Sequence, residues 1–203
     1  MRECAFCPNK AALTGEHLIS NWVNKLLEGK THHYSIFQRS YGTRPTTWND
    51  KRLNLRANVV CQKCNSGWMS DIDSEAKAAL KGIILNDSPV SILPLGIASI
   101  AAFAMKCGFV ADYLTRHRRP FFDAPTRYGF AKTLRPPDGV HMWIGRIQQP
   151  RGKRSGIYKT RYGNLHPPSR QWLDVYVFTF SIETVLLQLA AVRFIDSLGR
   201  SEL

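Results

Sequence analysis

The stretch VVCQKCNSGWMSDIDSEAKAAL, from Val59 to Leu80, contains the pattern that most constrains the fold. It opens with a CxxC pair, Cys61 and Cys64, a spacing that lets two thiolates bind one metal ion from a single turn. After the pair, apolar residues recur at spacings of three and four, at Met69, Ile72, Ala76 and Leu80. The stretch therefore predicts a metal-binding turn that leads directly into an amphipathic helix.

A second CxxC pair, Cys4 and Cys7, lies near the N-terminus. Two such pairs in one chain are typical of a tetrahedral zinc site rather than of disulfides. Four sulfur ligands leave no open coordination position, so the predicted Zn²⁺ is structural. The fifth cysteine, Cys107, lies in an apolar segment and is interpreted as a small core residue.

The chain is strongly basic, with 28 Lys and Arg against 15 Asp and Glu and a net charge of +13. This surplus favours an anionic partner, most often nucleic acid. The N-terminal residues lack the apolar core of a secretory signal. The longest apolar stretch, Pro89–Val110, is interrupted by Pro94, Gly96 and Lys106 and is interpreted as a buried helix. We therefore expect a soluble, cytoplasmic protein with no membrane association.

Local patterns divide the chain at about residue 82. Before it, residues 14–27 are predicted to form a loop entering a short helix, and 31–50 an irregular insert. Residues 53–60 alternate weakly, which favours a strand leading into the second CxxC pair.

After residue 82 the pattern changes to one long helix followed by strands. A helix is predicted over 97–114, and strands over 140–147, 173–181 and 184–194. A turn near Glu183 would make the last two strands a hairpin. A helix over 184–194 is an alternative, because that segment is almost continuously apolar.

Between the two CxxC pairs stands LTGEHLIS, residues 13–20, and Asn65 follows the second pair directly. The order C-x2-C, E-H-L-I and V-V-C-x2-C-N-S-G-W-M resembles the zinc-containing HNH endonucleases of the ββα-metal (His-Me finger) class, in their phage and bacterial branch. It is also similar to phage junction resolvases of the endonuclease VII type. The resemblance covers about residues 4–80. That branch often has proline where this chain has Ser20.

The resemblance implies an active site. His17 would be the general base that takes a proton from the attacking water. Glu16 and Asn65 would be ligands of a catalytic Mg²⁺ or Mn²⁺, since carboxylate and amide oxygens suit hard ions. Asn58, with Asn54 as the second choice, would orient the base. The products would carry 5′-phosphate and 3′-hydroxyl ends.

The sequence thus predicts an α+β protein. A zinc-stapled ββα-metal unit at 1–82 would precede a helix-plus-antiparallel-sheet unit at 83–203 that packs on it and binds DNA. The expected function is hydrolysis of DNA phosphodiester bonds in a bacterial or phage-infected cell. The alternatives are an inactive zinc-knuckle nucleic-acid-binding module and a phage regulatory or inhibitor protein on the same scaffold. The oligomeric state stays open.

Basic side chains in the C-terminal half are the predicted DNA contacts, because they fall in segments rich in glycine, proline and tyrosine. They are Arg116, Arg118, Arg119, Arg151, Lys153, Arg154, Lys159 and Arg161. Tyr158 and Tyr162 lie among them and would stack on bases or anchor the loop.

Overall fold

The computed structural model describes residues 1–27, 33–39, 44, 46–50, 54–85, 91–114, 120–147, 154–166 and 171–195. Within these residues the chain forms both helices and strands, which confirms the predicted α+β class.

The N-terminal region is built from two small antiparallel pairs of strands. Strands β1 (Arg2–Cys4) and β2 (Cys7–Ala11) form a hairpin, and β3 (Leu13–His17) pairs with β6 (Arg56–Cys61). Helix α1 (Asn21–Leu26) follows β3. The segment predicted as a loop entering a helix thus begins as a strand, because its backbone groups bond to β6, which is distant in sequence.

The predicted helix after the second CxxC pair is present. A short helix α2 (Gln62–Cys64) continues through a π-helical turn (Asn65–Met69) into α3 (Ser70–Leu85). The backbone of Gly67 departs from helical geometry within the π-turn. Every residue of the predicted apolar face is buried: Met69, Ile72, Ala76 and Leu80.

Helix α4 (Pro94–Tyr113) lies at the centre of the protein, as predicted for a buried helix. It is long and apolar enough to cross a membrane by length and composition, yet most of it is buried inside the protein. A Cβ at Gly108 would collide with Leu189, so glycine permits the close approach of α4 to the sheet. A further helix, α5 (Ala124–Thr133), had not been predicted and is capped by Asp123, which accepts a hydrogen bond from the Thr126 N–H at 2.9 Å.

Among the described residues, six strands form the main sheet, in the order β5-β4-β8-β9-β10-β7. Their bounds are β4 His33–Arg39, β5 Thr46–Asp50, β7 Val140–Arg146, β8 Arg154–His166, β9 Gln171–Ile182 and β10 Val185–Ile195. The predicted strands over 140–147, 173–181 and 184–194 are confirmed, and the helical alternative for 184–194 is wrong. Glu183, with φ of 54°, occupies the tight turn between β9 and β10 that the sequence predicted.

Two segments predicted as irregular belong to this sheet. The insert 31–50 contains β4 and β5, and β4 pairs in parallel with β8. The basic segment expected to be an exposed loop begins β8 at Arg154. Because strands from before residue 82 complete a sheet formed mainly after it, and one hydrophobic core includes both parts, the 82/83 division does not separate two cores.

Candidate metal centre and active site

The four cysteines of the two CxxC pairs come together, as predicted. Their Sγ atoms lie within 4.8 Å of one another, and those of Cys7 and Cys61 are 3.7 Å apart. A tetrahedral Zn²⁺ with Zn–S bonds of about 2.3 Å requires sulfurs about 3.8 Å apart. The cluster of Cys4, Cys7, Cys61 and Cys64 can therefore hold a zinc ion.

Two backbone N–H groups point at the Cys4 sulfur of this cluster and favour its thiolate form. Cys4 and Cys7 face each other in the β1–β2 hairpin, while Cys61 ends β6 and Cys64 ends α2. The Sγ of Cys4 accepts hydrogen bonds from the N–H groups of Cys61 (3.3 Å) and Phe6 (3.5 Å). Burial raises the pKa of the Cys7 and Cys64 thiols. A bound Zn²⁺ would stabilise all four thiolates against that effect.

The cysteine turn is fixed to the rest of the protein. The N–H of Ala5 donates to the Val59 carbonyl at 2.8 Å, at the point where an extra residue interrupts the β3–β6 register. The guanidinium of Arg127, on α5, donates to the Ala5 carbonyl at 2.7 Å. Phe6 packs edge-on against Phe109 of α4, with ring centroids 5.8 Å apart. The turn is thus held by β6, α4 and α5 together.

His17, the predicted general base, ends β3 and is half-buried. It lies opposite the exposed Arg56 in the β3–β6 pair. Burial lowers the pKa of His17 below its usual 6.5, and the positive charges of Arg56 and Lys106 lower it further. The imidazole is therefore neutral at neutral pH, the state that a general base requires.

Glu16 has a different environment from the predicted one. It is 5% exposed, and its Oε1 accepts a hydrogen bond from Lys106 Nζ at 2.9 Å. The same ammonium lies 2.5 Å from Asp73 Oδ1 and 3.1 Å from Ser20 Oγ. Burial raises the pKa of Glu16 even though Lys106 counteracts it. Glu16 is thus part of a buried ion cluster that joins β3, α3 and α4.

Asn65 also lies against β3, but at Thr14. Its Nδ2 donates to Thr14 Oγ1 at 2.8 Å, and Thr14 Oγ1 donates to the Val60 carbonyl at 2.9 Å. Thr14 and Glu16 are two residues apart on β3, so their side chains lie on the same face of the strand. Asn65 and the ion cluster therefore both contact that face. The structure therefore places Asn65 next to β3, the strand that contains Glu16, and the amide nitrogen of Asn65 holds it there.

The two asparagines considered for orienting the base lie on β6 and just before it. Asn58 is exposed and pairs with Gly15, two residues along the strands from the His17–Arg56 pair and therefore on the same face. Asn54 accepts a hydrogen bond from Arg56 Nε at 3.2 Å. Asn54 thus helps to orient Arg56, and the orienting role of Asn58 stays a prediction.

Sequence reasoning missed Arg56, Lys106 and the bond made by Asp73. Arg56 had no predicted role, and Lys106 was interpreted only as an interruption of the apolar stretch. A single lysine in an otherwise apolar helix was nevertheless a usable signal. A buried ammonium needs acidic partners, and the acidic residues at the start of α3 and in β3 were the available ones.

Two predicted DNA contacts are wrong, because the residues are in the core. Lys159 is 4% exposed and donates to the Ala111 carbonyl at 2.5 Å. Arg161 is 9% exposed and is bonded to both oxygens of Asp174, at 3.1 and 2.9 Å. Tyr158 stacks on Phe37 of β4, with ring centroids 4.5 Å apart. In a sheet, alternate residues of β8 face inward whatever their charge.

The other six predicted DNA contacts lie wholly or partly outside the described residues. The backbone of Arg154 begins β8, and its side chain lies outside the described set. Five others lie outside the described residues: Arg116, Arg118, Arg119, Arg151 and Lys153.

Comparison of the chain with protein-family models, with curated proteins and with solved structures found no match.

Proposed function

We propose that the protein is a nuclease of the ββα-metal type that hydrolyses phosphodiester bonds in DNA, with His17 as its general base. The observation that supports this most directly is the surroundings of His17. A neutral, half-buried imidazole ends a strand paired with β6, beside the exposed cation Arg56. The cysteine cluster ties that strand pair to the start of a helical segment that includes Asn65, the order of elements that the resemblance implies.

The chemistry assigned to this chain's residues is a water attack on phosphorus. His17 accepts a proton from water as the water oxygen bonds to phosphorus and the bond to the 3′-oxygen breaks. The departing oxygen takes a proton from solvent, which leaves 5′-phosphate and 3′-hydroxyl ends. Arg56 is placed to stabilise the negative charge on the phosphoryl oxygens, since a guanidinium binds them in a bidentate fashion. The net charge of +13 supports a polyanionic substrate.

The resemblance also implies a catalytic Mg²⁺ or Mn²⁺ bound by Glu16 and Asn65, and the contacts of these two side chains bear on whether they can bind one. The buried Glu16 already shares its charge with Lys106, and Asn65 bonds through its amide to Thr14. In this arrangement the pair does not fit a divalent ion, and we assign no step to one.

A zinc ion, in contrast, fits the cysteine cluster. Held by four thiolates, it would act as a structural ion that fixes β3, β6 and α2 with respect to one another. It would take no part in the reaction, because a four-sulfur site has no open position.

The test is cleavage of plasmid, linear and branched DNA by wild type and by His17→Ala, each with Mg²⁺, Mn²⁺ and EDTA. General-base catalysis contributes about 10²–10⁴-fold, so the variant should lose at least about a hundredfold in rate. His141→Ala is the matched control, because His141 is exposed on β7. A His17→Ala variant as active as wild type would remove His17 from the mechanism.

The ion pair at Glu16 favours a second candidate, a zinc-knuckle module that binds nucleic acid without cleaving it. A carboxylate neutralised by Lys106 serves the fold rather than an acid-base or metal-binding role. This candidate predicts that wild type and His17→Ala bind DNA equally and that neither cleaves it under any metal condition. The same assay therefore separates the two candidates.

A further inference from the structure

Lys106 is a fully buried cation that contacts two carboxylates and a hydroxyl. Its side chain is 0% exposed, although it belongs to the apolar core helix α4. Its ammonium lies within hydrogen-bonding distance of Glu16 (2.9 Å), Asp73 (2.5 Å) and Ser20 (3.1 Å). An ammonium has three donors, and here three oxygens from three parts of the chain accept them.

Hydrogen bonding and charge within the cluster both favour an ammonium at this position. Ser20 Oγ donates to Asp73 Oδ1 at 2.5 Å and thereby fixes the carboxylate towards Lys106. Burial disfavours the charged form of Lys106, but the carboxylates of Asp73 and Glu16 outweigh it and hold its pKa above the usual value. The buried carboxylate of Glu16 and the partly buried one of Asp73, in turn, are costly unless a positive charge accompanies them.

We propose that the Lys106 ammonium is the resident cation of the Glu16–Asp73 pair, in the place that a divalent ion would otherwise take between these oxygens. Lys106 is then a positioning residue, which anchors α4 to the strand that ends in His17. The wild-type protein should bind no divalent ion through Glu16. This inference rests on the proposed function only for its catalytic meaning, because the statement about binding holds with or without cleavage.

The experiment measures Mn²⁺ binding to the zinc-loaded protein from the loss of the free-Mn²⁺ electron paramagnetic resonance signal. Wild type and Glu16→Gln should bind Mn²⁺ alike. Lys106→Met should bind Mn²⁺ about tenfold more tightly than wild type, or better. The reason is that two carboxylates lose their counter-charge and offer hard oxygen ligands. The double variant Lys106→Met with Glu16→Gln should lose the gain. Lys159→Met, which removes a second buried lysine, should leave Mn²⁺ binding as in wild type.

Removing Lys106 can unfold the protein, since it leaves the buried charge of Glu16 and the partly buried charge of Asp73 without a counter-ion. The comparison of wild type with Glu16→Gln decides the matter without that variant. A wild-type Mn²⁺ site that disappears in Glu16→Gln would overturn the inference. So would a folded Lys106→Met protein that binds no more Mn²⁺ than wild type. For a partly unfolded variant, Mn²⁺ should raise the melting temperature, while the wild-type value stays unchanged.

Cleavage assays on the same samples keep the inference and the proposed function apart. Absence of cleavage, with the expected Mn²⁺ pattern, would refute the nuclease proposal and leave the resident cation standing. Cleavage together with a Glu16-dependent Mn²⁺ site in wild type would support the nuclease proposal and refute the resident cation.

Discussion

Two lysines of the described residues lie in the core, and their surroundings give them different charge states. Lys106 faces two carboxylates that outweigh its burial and raise its pKa. Lys159 bonds to the Ala111 carbonyl and lies over the Tyr176 ring, 5.6 Å from its centroid. Burial lowers the pKa of Lys159 to about 7, because the attraction of Asp112 offsets only part of the desolvation. A neutral amine still donates a hydrogen bond, so this contact does not require the charge.

This difference leads to a prediction for Lys159→Met. The pKa of Lys159 is about 7 in the folded protein, against 10.5 for an unperturbed lysine. Between those values the unfolded chain binds a proton that the folded protein does not, so the contribution of Lys159 to stability rises with pH. Wild type should therefore gain stability relative to Lys159→Met between pH 7 and pH 10. Urea unfolding of both zinc-loaded proteins across that range measures it. Curves that stay parallel would contradict the assigned pKa.

At the scale of single elements, the sequence predicted the helices and strands whose residue pattern is set by local spacing. The face of α3 follows from apolar residues three and four apart, and β9 from the alternation around Val175 and Val177. The cysteine cluster was equally predictable, since each CxxC pair carries its own turn geometry.

Elements that depend on distant partners were not predictable in this way. Strand β4 joins the main sheet because β8, more than a hundred residues later, pairs with it. Lys159 and Arg161 were assigned to a loop because of neighbouring glycines and charges, although pairing with β9 makes that segment a strand. The bond between Glu16 and Lys106 joins residues 90 positions apart, so no local pattern contains it.

The cysteine cluster gives a prediction at this same scale. Cys61→Ser should lose the zinc, measured by elemental analysis. Loss of a structural metal is among the most destabilising changes, so the free energy of unfolding should fall by about 4 kcal/mol or more. Cys107→Ala is the control, because Cys107 is buried away from the cluster. It should keep the zinc and lose only about 1 kcal/mol. A Cys61→Ser protein with normal zinc content and stability would rule out the four-cysteine site.

At the scale of the whole molecule, the sheet unites the two halves of the sequence. Strands β4 and β5 come from between the two CxxC pairs, yet they join the sheet through β8. Helix α4 packs between that sheet and α3, with Phe103 edge-on to Phe180 at 6.0 Å. The cysteine cluster and the sheet should therefore unfold together.

We accordingly expect a chain that ends at residue 147 not to fold cooperatively. It lacks β8, β9 and β10, which leaves β4 paired only with β5 and one side of α4 exposed. Near-ultraviolet circular dichroism and urea unfolding should show a broad transition without fixed tertiary signals. A chain that ends at residue 195 keeps every described strand and should unfold like the full-length protein. A sharp transition in the shorter chain would instead show that the N-terminal part is an independent domain.

The parallel pairing of β4 with β8 also determines when the protein can fold during its synthesis. All four cysteines have left the ribosome soon after residue 64, so zinc can bind early. The partner of β4 is made only after about a hundred further residues, which takes roughly 5–20 s at typical elongation rates of about 5–20 residues per second. During that interval the edge of β4 has no neighbour on the side that β8 will occupy, and such edges recruit other chains. Early zinc binding would shorten the free loop around β4 and so limit encounters between nascent chains on one messenger RNA.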